Sequence, residues 1–166
     1  MEELRKLPGV WCRIPGGKAD CSLFRRKFHL DAPARLRLLV SADSRYNLYL
    51  DGEFLGRGPV RGDLEHYHYA CCEAELAAGE HLLAAEVLHW SDGILAPWSE
   101  VHYAAAFLLL GECGGENLST SGAWKCCADT RRRLRRWEEA WNHSGNVPIA
   151  PMEEYSGGTA LEDWNT

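Results

Sequence analysis

The segment Tyr46-Asn-Leu-Tyr-Leu-Asp-Gly-Glu-Phe-Leu55 constrains the fold more than any other part of this chain. Tyr46, Leu48 and Leu50 alternate with Asn47, Tyr49 and Asp51, the period of a strand with one buried face. Asp51-Gly52 then separates that strand from Glu53-Phe-Leu55. A two-residue Asp-Gly link tolerates positive φ and closes a tight hairpin. Antiparallel β structure is therefore expected here.

The rest of the chain follows the same pattern. Residues 24–30 form an extended run with aromatics at positions 24 and 28, broken by Asp31-Ala-Pro-Ala34. Residues 35–40 place Leu36, Leu38 and Val40 on one face. Residues 66–72, rich in Tyr and His, are expected as another strand. Leu76-Ala-Ala-Gly79 is expected as a turn or one short helical turn closed by glycine. Residues 81–90, 104–110 and 123–128 give three more strands, the middle one fully buried. About eight short strands joined by turn clusters predict an all-β antiparallel sandwich over residues 1–130. Beyond it, Leu134, Trp137 and Trp141 have helical spacing, and Arg135 is placed to pair with Glu139. Residues 131–166 are thus expected to be an Arg/Trp-rich segment with an extended tail.

Composition removes several function classes. The hydrophobic fraction of 46% supports a core, and the net charge of -6 opposes binding to nucleic acid or to an anionic membrane surface. No apolar run is long enough for a membrane-spanning helix. The charged start, Met1 to Lys6, has no apolar stretch behind it, so a cytoplasmic location is expected unless a signal has been removed. The seven cysteines are odd in number, include two adjacent pairs and lack Cys-x-x-Cys spacing, which favours reduced thiols over a disulfide framework.

The run Ser41-Ala-Asp-Ser-Arg-Tyr-Asn-Leu-Tyr-Leu-Asp-Gly-Glu-Phe-Leu-Gly-Arg-Gly-Pro59 resembles the accessory β-sandwich at the N-terminal side of bacterial α-L-rhamnosidases. Residues 24–30 are similar to that family's opening strand, and the Val87-Leu-His-Trp90 ending and Trp124-Lys125 are similar to its later strands. The resemblance implies a galactose-binding-like jelly roll and a non-catalytic role beside a hydrolase domain. The barrel that carries the paired carboxylates in such enzymes has no counterpart here, so the chain is expected to be a fragment whose partner is a missing catalytic domain.

Hydrolysis of a glycoside needs two carboxyl groups across the scissile bond. Glu73/Glu75, Glu138/Glu139 and Glu153/Glu154 lie in polar contexts and are expected to be solvated surface. His66 and His68, read on one strand face, lack a distinctive third ligand for a transition metal. No cofactor is required; a structural calcium, which sugar-binding sandwiches often hold, would fall to Asp43 or Asp92 with backbone carbonyls. Sugar recognition asks for an aromatic platform and planar polar groups. Trp90, Asp92 and Trp98 in one loop, with Arg57, Arg61 and Asp63 after the hairpin, are the candidates, weighed against tryptophans that cap the core and arginines that pair locally. The arginine run near 131–136 is expected to be a solvated, Glu-paired face. The expected function is a carbohydrate-recognition or scaffold module, with rhamnose- or galactose-type glycans as ligands. The alternative is a protein-interaction sandwich without sugar binding.

Overall fold

The computed structural model describes residues 2–13, 20–63, 65–90, 103, 105–134 and 153–155; for 133 and 153–155 this is the backbone alone. Nearly all of them are strand or connection. In chain order these are a short 3-10 turn at Leu4–Lys6, then β1 Cys21–Leu30, β2 Ala34–Asp43, β3 Arg45–Leu50, β4 Glu53–Gly58, β5 Ala70–Leu76, β6 Gly79–Leu88, β7 Ala106–Cys113, β8 Glu116–Asn117, β9 Lys125–Ala128, β10 Arg132–Leu134 and β11 Glu153–Tyr155.

These strands make two antiparallel layers. One sheet has the order β4-β3-β6-β1-β9 and the other β5-β2-β7-β8, with β10 and β11 paired separately. The chain crosses between layers at β1–β2, β2–β3, β4–β5, β5–β6, β6–β7 and β8–β9, and stays within one sheet only at the β3–β4 and β7–β8 hairpins. The expected all-β sandwich is observed.

Alternation decides which side chains fill the space between the layers. Phe24, Phe28, Leu30, Tyr46, Leu48, Leu83, Ala85 and Val87 come from the first sheet, and Leu36, Leu38, Val40, Ala42, Phe107 and Leu109 from the second. Phe107 is at the centre, with ring centroids 5.2 Å from Phe24, 6.2 Å from Tyr46 and 5.6 Å from Trp124. The polar tips of these aromatics are satisfied: the Tyr46 hydroxyl donates to the Val40 carbonyl and the Trp124 indole N–H to the Leu118 carbonyl. Burial pushes the Tyr46 phenol well above its ordinary pKa. The turn at Leu4–Lys6 packs on the outer side of β2 and β7 and buries Leu4 there.

The Asp51-Gly52 hairpin forms as expected, with φ of 52° and 87° at its two central residues and a bulge between Leu48 and Tyr49. Other expectations meet the structure less directly. Residues 66–69 are not strand; β5 begins only at Ala70, because Asp63 accepts hydrogen bonds from the backbone N–H of Glu65 and His66 and curls the chain. Residues 76–79 form the turn, the first of the two expected alternatives, with β5 running to Leu76 and β6 starting at Gly79. The apolar strand expected over 81–90 ends at Leu88, where the His89 N–H turns away to the Asp20 carbonyl. Of the residues with helical spacing, Leu134 ends a strand instead: β10 pairs with β11, and the Leu134 N–H donates to the Asp20 carboxylate. Trp137, Trp141, Arg135 and Glu139 lie outside the described residues. None of the seven cysteines forms a disulfide.

Candidate functional site

The same alternation that sends Tyr46 and Val87 inward sends their neighbours outward. Asn47 faces Glu86 and Arg57 across the sheet, because β3 lies between β6 and β4. The chain then leaves β4 through the cis Gly58–Pro59 bond. Residues 57–61 form a rim of the cleft beside the first sheet. From the other side, Arg132 of β10 reaches Glu86. The result is an open cleft of about 710 Å³, lined by Arg45, Asn47, Arg57, Arg61, Glu86 and Arg132, with Pro59, Val60 and Leu88 as its apolar wall.

Its charges are uneven. Among the described lining residues are four arginines and one carboxylate, Glu86, and Arg45 and Arg61 have further partners of their own. Glu86 already accepts hydrogen bonds from the Asn47 amide at 3.4 Å and the Tyr49 hydroxyl at 3.1 Å, and it pairs with Arg132 at 3.4 Å. Partial burial and the Glu86 charge raise the Tyr49 phenol. Arg132 also donates Nε to Asp129 at 2.8 Å, and Arg131 donates to both oxygens of the same carboxylate. Burial alone would raise the Asp129 pKa; the hydrogen bonds from Arg131 and Arg132 outweigh it and hold the carboxyl below its ordinary value. For these two arginines the expected solvated, Glu-paired face becomes a half-buried network whose main acceptor is an aspartate. Arg57 is exposed on the outermost strand and makes no hydrogen bond or ion pair among the described residues.

Of the sequence candidates, Arg57 and Arg61 line this cleft. Asp63 does not; its carboxylate holds the His66 ring at 2.9 Å, and that hydrogen bond lowers its pKa despite slight desolvation. Trp90 is only 7% exposed, which leaves little indole face to stack on a ligand. Its backbone N–H donates to Ser44 Oγ, and its indole N–H has no partner among the described residues. Asp92 and Trp98 lie outside the described residues. Arg45, Asn47, Glu86 and Arg132 were not singled out from sequence. Asn47 and Glu86 occupy outward positions of readable strands, so the alternation carried the signal; their adjacency did not appear until β3 and β6 were paired.

A second polar group sits at one end of the sandwich. Asp43 is 2% exposed, and its carboxylate accepts from His89 Nδ1 at 3.1 Å, from Ser44 Oγ at 3.3 Å and from the Tyr103 N–H at 2.7 Å. Both oxygens are thus committed to protein donors, so a calcium at Asp43 would have to displace them. Among the described residues no three His, Cys, Asp or Glu side chains converge as a metal site. Beside this group, the Trp11 and Tyr67 rings meet edge-on at 5.2 Å, and Arg5 lies 5.0 Å over the Tyr69 ring.

No family model matches the sequence, and no curated protein matches it either. Solved structures do match. A GH78 family rhamnosidase of Bacillus sp. GL1 superposes with a TM-score of 0.62 at 20% identity, over 96% of this chain and 19% of that one. An α-L-rhamnosidase of Streptomyces avermitilis, solved in complex with L-rhamnose, superposes with a TM-score of 0.51 at 20% identity, over 89% of this chain and 14% of that one. The chain therefore spans less than a fifth of either enzyme, and it has the β-sandwich fold of the segment it matches in each, which bears out at the level of fold the resemblance read from sequence.

Proposed function

We propose that this chain is a non-catalytic carbohydrate-recognition module of a larger glycoside hydrolase, of the α-L-rhamnosidase kind, and that its ligand enters the outer-face cleft. One observation carries the reading: an open cleft of sugar size whose lining is planar polar groups, the guanidinium groups of Arg45, Arg57 and Arg61 and the Asn47 amide, beside the apolar surface of Pro59 and Val60. Such groups hydrogen-bond hydroxyls in fixed directions. Several described carboxylates are ion-paired in ways that suit support better than acid–base exchange. Glu73, for instance, is bound to Arg35 and Glu116 to Arg26.

Titration with rhamnose, galactose and glucose, followed by amide and arginine Nε NMR shifts, tests the site. The expected affinity is weak, on the order of millimolar to micromolar, because a monosaccharide offers few atoms and its hydroxyls must be desolvated. Shifts should centre on residues 45–47, 57–61 and 86. Shifts only at Trp11, Tyr67 and Tyr103 would transfer recognition to the aromatic end of the sandwich.

A second reading is a docking module without sugar binding. Trp11 at 39%, Tyr69 at 43% and Tyr103 at 73% exposure favour it, since aromatic side chains are enriched where proteins meet. Self-association, or retention by the parent's catalytic domain, together with silence toward every sugar, would support that role.

A further inference from the structure

His81 stands where two turns of the sandwich meet. Its Nδ1 lies 2.7 Å from Asp51 Oδ2 in the β3–β4 turn, and its Nε2 lies 3.0 Å from the Ala77 carbonyl oxygen in the β5–β6 turn. An ionised carboxylate and a carbonyl accept hydrogen bonds and donate none. A neutral imidazole has a single N–H, so it can serve one of these partners and must aim a lone pair at the other. An imidazolium donates to both. The His81 side chain is 11% exposed, so water has little room to replace a lost partner. We propose that protonated His81 is a pH-sensitive clip that ties the β3–β4 hairpin to the β5–β6 turn, and that its deprotonation releases the β5–β6 turn.

The groups around the ring favour the clipped form. Asp51 is fixed in place, because its other oxygen accepts from the Leu82 N–H at 2.7 Å. Glu80, beside His81 on β6, adds a second negative charge and is itself hydrogen-bonded to His29 Nδ1 at 2.7 Å. From β1, Phe28 is the position opposite His81, with ring centroids 5.4 Å apart, and the flanking Lys27 and His29 are exposed. From β4, Glu53 is exposed, and from β5, Glu75 pairs with Arg35 at 3.8 Å. The hydrogen bonds to Asp51 and Ala77, helped by the two carboxylate charges, outweigh burial and hold the imidazole above its ordinary pKa. That direction fixes the sign. The contribution of the clip is complete below the ordinary imidazole value and is lost as pH rises through the higher, folded one. The bond given up is the one to Ala77, because a carboxylate is the stronger acceptor for the remaining N–H. The Asp51 N–H donates to the Leu82 carbonyl in either state, which confines the response to the β5–β6 turn.

The test uses the full 166-residue chain and no ligand, so its outcome is independent of the sugar reading. Imidazole nitrogen NMR shifts are followed between about pH 5 and 9, with the His81 signals assigned by their loss in His81→Gln. The wild-type midpoint should lie above that of an ordinary histidine, and the neutral ring should keep its proton at Nδ1. The Ala78 amide, which shares a peptide group with the Ala77 carbonyl, should shift with the same midpoint. Asp51→Asn provides a second arm, because Asn-Gly closes the same positive-φ turn without the charge. In that variant the His81 midpoint should fall toward the ordinary value. Urea midpoints of wild type and His81→Gln should draw together as pH rises. A wild-type midpoint at or below the ordinary value would overturn the clip. A neutral ring protonated at Nε2, or an Ala78 amide indifferent to the titration, would overturn release of the β5–β6 turn. An unchanged midpoint in folded Asp51→Asn would remove Asp51 as the partner that holds the proton.

Discussion

The two outer faces of this sandwich carry arginines in opposite ways. On the four-stranded sheet, Arg35 and Arg37 face Glu73, Glu75 and Glu112 across β2, β5 and β7. Arg37 hydrogen-bonds Glu112 directly, and Arg35 hydrogen-bonds Glu73. Each cation there has a carboxylate opposite it on a neighbouring strand, so the face is electrostatically complete. Over the five-stranded sheet, Arg57 is exposed with no hydrogen bond or ion pair among the described residues, whereas Arg132 is held by Glu86 and Asp129. Both faces grow from the same alternation. The first is finished by the protein itself; the second leaves Arg57 open at the rim of a cleft, and that asymmetry is why the cleft, not the paired face, is the candidate site.

The comparison requires both faces to hang on one cooperative core. Phe107 tests this most severely, because it is fully buried and touches aromatic rings from the opposite sheet and from the β8–β9 connection. Phe107→Ala should cost about 3–5 kcal/mol. Urea unfolding followed by tryptophan fluorescence and by far-UV circular dichroism should shift together. If the two probes separated, the faces would belong to independently melting units.

The next change acts on the cleft alone. Asp129 has a 1% exposed side chain and anchors Arg131 and Arg132, one of which walls the cleft. Asp129→Asn should cost about 3 kcal/mol at neutral pH, as breaking a buried pair does. The sign with pH is fixed by the lowered carboxyl pKa. Its contribution is complete above the ordinary aspartate value and is lost as pH falls through the lower, folded one. Urea midpoints at pH 7, 4 and 3 should therefore converge between wild type and variant on acidification. A constant gap across that range would mean that the charge of Asp129 is not what holds Arg132.

Much of the fold was legible in the sequence, and the reason is local. The hairpin needs positive φ at its two central residues, and Asp51-Gly52 announces that in two letters. The role of the Asp51 carboxylate was not legible. It accepts from the Leu82 N–H and from His81 Nδ1, both at 2.7 Å, and those partners stand 31 and 30 residues away. The site divides similarly. Arg57 and Arg61 stand out because they flank Gly58 and Gly62 after a recognisable turn. Arg45, Asn47, Glu86 and Arg132 meet only once β3 has paired with β6 and β10 has crossed the sheet, and no local pattern encodes that pairing. Trp90 shows the opposite difficulty: an indole suited to a sugar face is also a large apolar surface, and here burial claims it.

A smaller effect separates the scaffold of the cleft from its chemistry. Gly52→Val should destabilise the hairpin that carries Asn47 and Arg57 by about 2 kcal/mol. Nothing lies within 4 Å of where its Cβ would be, so the cost is purely that of holding a β-branched residue at φ 87°. A thermal melt equal to that of wild type would show that the turn relaxes to another geometry. Sugar titration of the still-folded variant would then report whether the β4 rim must be held rigidly.

The smallest expected change tests the complete face. Arg37 has a side chain 31% exposed and pairs with Glu112, itself 34% exposed, so solvent screens the attraction. Arg37→Ala removes one cation and leaves Glu112 and Glu73 on neighbouring positions of the face. Two opposing terms act. The lost pair is worth little at this exposure, while the carboxylates left behind are free to rehydrate. The net cost should be under about 1 kcal/mol and should diminish further in high salt, where both the pair and the remaining repulsion are screened. Glycan affinity should not change, because the ladder lies on the sheet that does not form the cleft. A loss of several kcal/mol would mean that the ladder is a structural core element rather than a finished surface. A loss of glycan binding in a variant of unchanged stability would mean that the ligand reaches both faces, and the contrast between them would no longer locate the site.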